Sequence, residues 1–249
     1  MNILIVESEN DQYFIQALVN FLNNTDTEVC CINDFKHSSV DEAGSELKIQ
    51  IGSALLLRGV SKIGVMLDMD AQTLDNRIKL VNKALDAALK ENFSTDVKIS
   101  KPIERTNEFI DINKDELLTV KFACYFTNID GQGELETLLK EIKSQDSVFA
   151  DCLLEGWQTC LKEKGKKIVG RDESGDITHK EILKLWVDFY KRLDTIKKGK
   201  RNENTTNWKN ICLGTVDKKK KIIPPTVKDI FKLDHEKLNE LTTFLKLFN

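Results

Sequence analysis

Apolar residues come in two rhythms along this chain. Short unbroken runs, NILIV at 2–6 and KIGVML at 62–67, alternate with longer stretches whose apolar residues recur every three or four positions. The first rhythm predicts a strand covered on both faces, the second an amphipathic helix. Phe14, Leu18 and Phe21 mark a helix from Asp11 to Phe21, and Glu28 to Ile32 reads as a second strand. Asp41 to Val60 reads as a long helix entered through Ser38 and Ser39, residues suited to N-capping. Thr73 to Leu89 is amphipathic through Ile78, Val81, Leu85 and Leu89. Strand and helix thus alternate three times, which predicts a parallel sheet with helices on its faces.

Beyond this the rhythm changes. Glu108 to Ile112 and Thr119 to Phe126 read as strands around a turn-like NKDE, either an antiparallel pair or the edge of the same sheet. The Gly-rich NIDGQGE then opens a helix from Glu134 to Ile142. From 147 to 196 the pattern is mainly helical, and 197–226 is polar, basic and loop-like, with Pro224 and Pro225. Leu238, Leu241, Leu245 and Phe248 lie on one face of a closing helix. The expected organisation is α/β: a mostly parallel sheet domain over 1–145 and a mainly helical region over 146–249 packed on it.

Composition narrows the class. A hydrophobic fraction of 41% with 31% charged residues suits a globular chain. The net charge of −3 argues against an overall basic nucleic-acid binder, although local basic faces remain compatible with it. No apolar stretch approaches the roughly 20 residues of a membrane span, and the N-terminus lacks a signal-peptide pattern, so a cytoplasmic protein is expected. The six cysteines form no CxxC pair, and reduced, mostly buried thiols are the expectation. His37, His179 and His235 have no ligand-like spacing, and the three tryptophans read as core or interface.

The chemistry sits where strands end. NILIV runs into Glu7, Glu9 and Asp11, and KIGVML into Asp68 and Asp70. Ligands of parallel α/β sheets bind beyond the carboxyl ends of the strands, so Glu7, Asp68 and Asp70 are expected on one edge. Clustered carboxylates repel one another and raise their own pKa values unless a cation sits among them. Mg²⁺ or Mn²⁺, hard ions with oxygen ligands, would fit. Glu9 reads as a helix-start charge serving the macrodipole. Asp11 stays open between a helix cap and support for the cluster.

ILIVESENDQYFI followed by IGVMLDMD resembles the Toprim domain, shared by topoisomerases, primases, recombination mediators and the overcoming-lysogenization-defect (OLD) nucleases. The family's glutamate after the first strand falls on Glu7, its Asp-x-Asp on Asp68 and Asp70, and a frequent further aspartate on Asp11. GELETLLKEI, with Gly133, Glu134, Leu135 and Glu136, is similar to the helix start of standalone bacterial Toprim proteins related to OLD nucleases. The resemblance covers residues 2–143. Ser8 stands where the family usually has glycine, which puts the turn geometry in question, and Ala71 stands where glycine is frequent.

The resemblance implies a Toprim-like fold and a metal-dependent nuclease acting on DNA or RNA. Topoisomerase, primase and mediator activities lack their extra modules here. Glu7, Asp68 and Asp70 would hold one or two Mg²⁺ ions, with Asp11 in support and Glu136 or Glu134 giving a second site or base. An ABC-type ATPase in trans and a role in anti-phage defence follow by the same analogy, since the chain contains no GxxxxGK[ST]. Lys166, Lys167, Lys198, Lys200 and Arg201 are candidate phosphate contacts, as is the run at 218–221; a solvated basic loop is the plain alternative. The apolar C-terminal helices are compatible with a homodimer. Two other readings stay open: a catalytically silent Toprim-like binding subunit, and a receiver-like domain phosphorylated on Asp68 with Lys101-Pro102 as its lysine–proline pair.

Overall fold

The computed structural model describes residues 1–32, 40–93, 97–113, 119–169, 175–217 and 220–249. The chain divides into two compact units, 1–127 with 239–249, and 128–238, and each is taken by itself. The expectations placed on Ser38, Ser39, His37, most of the NKDE turn and Lys218–Lys219 lie outside the described residues.

The first unit is built on a six-stranded sheet. Its elements are β1 (Asn2–Val6), α1 (Glu9–Phe21), β2 (Thr27–Cys31), α2 (Val40–Leu56), β3 (Lys62–Asp68), α3 (Leu74–Asn92), β4 (Lys98–Ile99), β5 (Ile110–Asn113) and β6 (Thr119–Thr127). Strand order is β2-β1-β3-β6-β5-β4. β2, β1, β3 and β6 run parallel, while β5 is antiparallel to both its neighbours. Both alternatives raised for the β5–β6 segment therefore hold together: it is an antiparallel pair, and it extends the same sheet. β4 had no clear apolar run to announce it.

All five residues of β1 are buried, as a strand covered on both faces requires. Ile3 and Ile5 join the core formed with Leu47 and Ile51 of α2 and Val81 and Leu85 of α3. Leu4 points the other way, by the two-residue alternation of a strand. There the closing helix (Asn239–Lys246) completes the unit. A Cβ on Gly64 would stand 2.5 Å from Leu4 Cδ2, 2.6 Å from Phe248 Cζ and 3.1 Å from Phe244 Cζ, so only glycine lets these side chains lie on the sheet. Tyr125 stacks on Phe244 with centroids 5.5 Å apart. Lys62 Nζ donates to the main-chain oxygens of Leu247 (2.8 Å) and Asn249 (2.7 Å), and Asn2 Nδ2 to that of Phe248 (2.6 Å). The apolar face offered as ground for a homodimer is thus buried within the chain at Leu241, Phe244, Leu245 and Phe248.

The boundary read at 145/146 differs from the division observed. The first unit stops with β6, its last strand, and recovers the closing helix from the far end of the chain. The long helix read to Val60 ends at Leu56.

The second unit holds α4 (Leu135–Glu141), α5 (Val148–Glu163), β7 (Ile168–Val169), β8 (Ile177–Thr178) and α6 (His179–Phe189), followed by a π-helical turn over Tyr190–Thr195. The segment read as loop carries α7 (Glu203–Thr206), α8 (Trp208–Leu213), the two-residue pair β9 (Thr215–Val216) and β10 (Ile222–Ile223), and α9 (Val227–Ile230). Trp186 and Tyr190 are fully buried and stacked 5.0 Å apart, and Trp186 Nε1 donates to Asp151 (2.7 Å).

Candidate active site

Connections leave β1 toward β2 on one side and leave β3 toward β6 on the other. The switch point of the sheet therefore lies between β1 and β3, and ligands of parallel α/β sheets bind beyond the carboxyl ends of the strands at such a point. Glu7 directly follows β1 and Asp68 ends β3. Both are buried, at 4% and 3% exposure. The Asp68 backbone N–H donates to Glu7 Oε2 at 3.2 Å, which ties the two strand ends together.

Asp70 takes a different course. Its φ is 52°, in the left-handed region that aspartate tolerates better than most residues. Its carboxylate forms a buried ion pair with the Arg77 guanidinium, from the first turn of α3, and Arg77 Nε also donates to Met69 O at 3.4 Å. The cation was not foreseen. LDNRIKL gives Arg77 the look of a surface residue, yet it is only 7% exposed.

Ser8 and Asp11 settle as a capping pair. Ser8 has φ −136° and ψ 166°, ordinary extended backbone, so the position makes no demand for glycine. Ser8 Oγ accepts from the Asp11 N–H (3.3 Å), and Asp11 Oδ2 accepts from the Ser8 N–H (2.8 Å) and Oγ–H (2.7 Å). This reciprocal box satisfies the open donors at the start of α1. The cap, one of the two roles open for Asp11, is thus present. Glu9 is exposed and accepts from the Tyr13 hydroxyl (3.3 Å).

One residue of the edge escaped the sequence reading. Thr127 ends β6 and is the register partner of Asp68, so the two side chains share a face. It is 1% exposed, and its Oγ1 has no hydrogen-bond partner among the described residues. A buried hydroxyl in that state calls for a water, an ion or a ligand. Nothing in YFTNID distinguishes this threonine locally; only strand pairing puts it beside Asp68.

In the second unit, Asp130 (φ 53°) and Gly131 (φ 87°) form a tight turn closed by Ile129 N–H to Gln132 O (2.7 Å) and its reverse (3.2 Å). Positive φ at both central positions is why Asp-Gly stands there. Glu134 and Glu136 follow at the start of α4, both buried, and Glu136 Oε2 has no hydrogen-bond partner among the described residues.

The basic candidates divide. Lys166 Nζ pairs with Asp176 at 3.0 Å. The Lys167 N–H and the Lys166 ammonium hold the Asp176 carboxyl below its usual range. Arg201 spends Nε on Ile196 O and Nη2 on Leu193 O, both at 2.9 Å, and so braces the end of the π-helical turn. Lys198 and Lys200 are exposed.

The receiver reading finds little support. Ile99 faces Ile112, which faces Val120, so β4 lies level with the start of β6 across the intervening β5. That is seven residues, about 23 Å along the strand, from Thr127 and the acidic edge. Lys101 sits near Glu108, at 3.7 Å.

All six cysteines are free thiols, and fewer are buried than expected: Cys124 and Cys212 are buried, Cys30 and Cys31 half-buried, Cys152 and Cys160 exposed. Among the described residues no group of three or more His, Cys, Asp or Glu side chains is placed to hold a metal ion, and no helix is long and apolar enough to cross a membrane.

Fold and edge together define a class: an α/β protein with a mostly parallel sheet and paired acidic residues at its switch point. The chain belongs to the family described as "Protein of unknown function (DUF3226)", whose model matches residues 1–248. No curated protein and no solved structure matches it.

Proposed function

We propose that the chain is a divalent-cation-dependent nuclease of the Toprim type, with Glu7 and Asp68 as the ligands of one Mg²⁺ or Mn²⁺ ion. The observation that carries this reading is the contact between Glu7 Oε2 and the Asp68 amide at the switch point. The residues fit such an ion. Both are hard oxygen donors, and Mg²⁺ typically keeps several waters and uses only one or two carboxylates. Among the described residues of this unit Glu7, Asp11, Asp68 and Asp70 are buried with Arg77 as the buried cation, an excess of negative charge that a divalent ion would offset.

A divalent ion there supplies Lewis-acid polarisation of a phosphodiester oxygen and neutralises charge developing on it. The chain's own residues orient. The Asp68 amide fixes the Glu7 carboxylate, Arg77 pairs with Asp70, and the Thr127 hydroxyl offers a neutral donor and acceptor beside Asp68. Glu134 and Glu136 stay candidates for a second site. The analogy with OLD nucleases extends the proposal to an ABC-type ATPase acting in trans and to anti-phage defence.

A second reading, a binding subunit without catalysis, is favoured by the engagement of Asp70 with Arg77, which offsets the charge of the third carboxylate of the motif. One experiment separates them. Purified protein is incubated with labelled DNA and RNA in Mg²⁺ or Mn²⁺, alongside Glu7→Gln and Asp68→Asn. Cleavage lost on chelation and in both variants supports the nuclease; binding without cleavage supports the silent subunit.

A further inference from the structure

The basic run at 197–201 reads either as phosphate contacts or as a solvated loop. In the second unit two of its residues, Lys197 and Lys200, line a cavity of about 290 Å³. The cavity is lined by apolar groups from four directions: Ile196 after the π-helical turn, Ile211 of α8, Ile223 and Pro224 from β10 onward, and Ile230 of α9. Lys197 and Lys200 stand at its margin against a single carboxylate, Asp229.

The hydrogen bonds that hold the walls do not use the ammonium groups of these lysines. Arg201 braces the carbonyls of Leu193 and Ile196. Thr205 Oγ1 donates to Lys200 O at 2.7 Å, and the Thr226 N–H to Ile211 O at 2.9 Å. Gly214, with φ 77°, passes so near β10 that a Cβ would lie 2.6 Å from Ile223 O. Several segments are therefore fixed around a space that none of their own side chains fills. An apolar cavity with a few charged groups at one side is the usual form of a small-molecule site.

We propose that this cavity binds a small anion with an apolar body: the body against the isoleucines, the phosphate or carboxylate between Lys197 and Lys200. The lining contains no aromatic ring, so aliphatic contact, and not ring stacking, supplies the apolar part. Two sources share this chemistry, a medium-chain alkyl phosphate and a medium-chain carboxylate, and thymidine monophosphate, with its polar sugar and planar base, is the contrast. The site is independent of the edge in the first unit and does not rest on the nuclease reading.

Isothermal titration calorimetry of the full chain tests it, with octyl phosphate, octanoate, thymidine monophosphate, octylamine and inorganic phosphate as probes. One-to-one saturable binding of octyl phosphate or of octanoate is expected, and the tighter of the two identifies the source. Octylamine, thymidine monophosphate and inorganic phosphate should bind at least tenfold more weakly, a difference of one decade in Kd. Thr226→Phe, at an exposed residue whose side chain makes no cap hydrogen bond, should fill the cavity and abolish binding. An exposed ion pair is worth a few-fold at most, so Lys197→Ala with Lys200→Ala should weaken binding by about tenfold. No saturable binding of any apolar anion overturns the proposal. So does equal binding of inorganic phosphate, thymidine monophosphate or octylamine, or binding indifferent to both sets of variants. Unchanged circular dichroism of the variants excludes misfolding as the cause of a loss.

Discussion

Glu7 Oε2 accepts a hydrogen bond from the Asp68 backbone N–H at 3.2 Å, although 61 positions separate the two residues. The parallel pairing of β1 with β3 sets both at the same end of the sheet. On the proposed reading, divalent ions bind the folded chain through these groups and stabilise it by linkage. Millimolar Mg²⁺ or Mn²⁺ should raise Tm of the wild type. Glu7→Gln keeps an acceptor for the Asp68 amide, so its Tm without metal should match or exceed that of the wild type, while the metal-induced rise should vanish. Differential scanning calorimetry with and without the ion measures both.

The Asp70–Arg77 pair is buried on both sides. Removing one member leaves a buried charge, which costs about 3–5 kcal/mol, whereas replacing both with apolar groups is often close to neutral. Arg77→Met should therefore be strongly destabilising, and Asp70→Asn combined with Arg77→Met should recover much of the loss. Urea unfolding of the two single variants and the double variant gives the coupling directly.

Ser8 and Asp11 form the cap of α1, which separates stability from activity. Ser8→Ala should cost about 1 kcal/mol and Ser8→Gly only a few tenths. Asp11→Ala should likewise lower stability while leaving any metal-dependent cleavage within a few-fold of wild type. Denaturant titration beside a cleavage assay distinguishes this cap from a metal ligand.

Burial pushes the Cys30 thiol up to about 11 and the Cys124 thiol up to about 12. At pH 8 they are almost wholly protonated and slow to react, so Cys152 and Cys160 should be the two fast thiols in a disulfide-exchange assay. The stability consequence has a definite sign. A thiol of raised pKa stays protonated in the folded state while the unfolded chain ionises near 9. Its contribution is complete below about pH 9 and is lost as pH rises toward 12. Cys124→Ala should unfold with a shallower decline over that window in denaturant titrations.

Gly64 carries the last prediction. A methyl group there meets the tips of Leu4, Phe244 and Phe248. Gly64→Ala should cost about 1–3 kcal/mol, the usual range for overpacking. Hydrogen exchange should show the closing helix losing protection first, because Phe244 within it and Phe248 just beyond it must move.

Sequence by itself determined the α/β alternation, the strand ends at Glu7 and Asp68, and the Gly-rich loop that opens α4. These are local: strand and helix periods, and backbone conformations that few residues accept, are written in neighbouring positions. Tertiary structure alone decided the rest. Arg77 lies one helical turn into α3, and nothing in its spacing shows that it engages Asp70. Thr127 matters only because β6 pairs with β3. The closing helix displays its apolar face in the sequence, but its seat on Gly64 joins residues about 180 positions apart. Why Ser8 suffices where glycine was looked for follows from its extended φ, a value set by the path from β1 into α1. Pairings across such distances depend on how the sheet closes, and no local pattern encodes them.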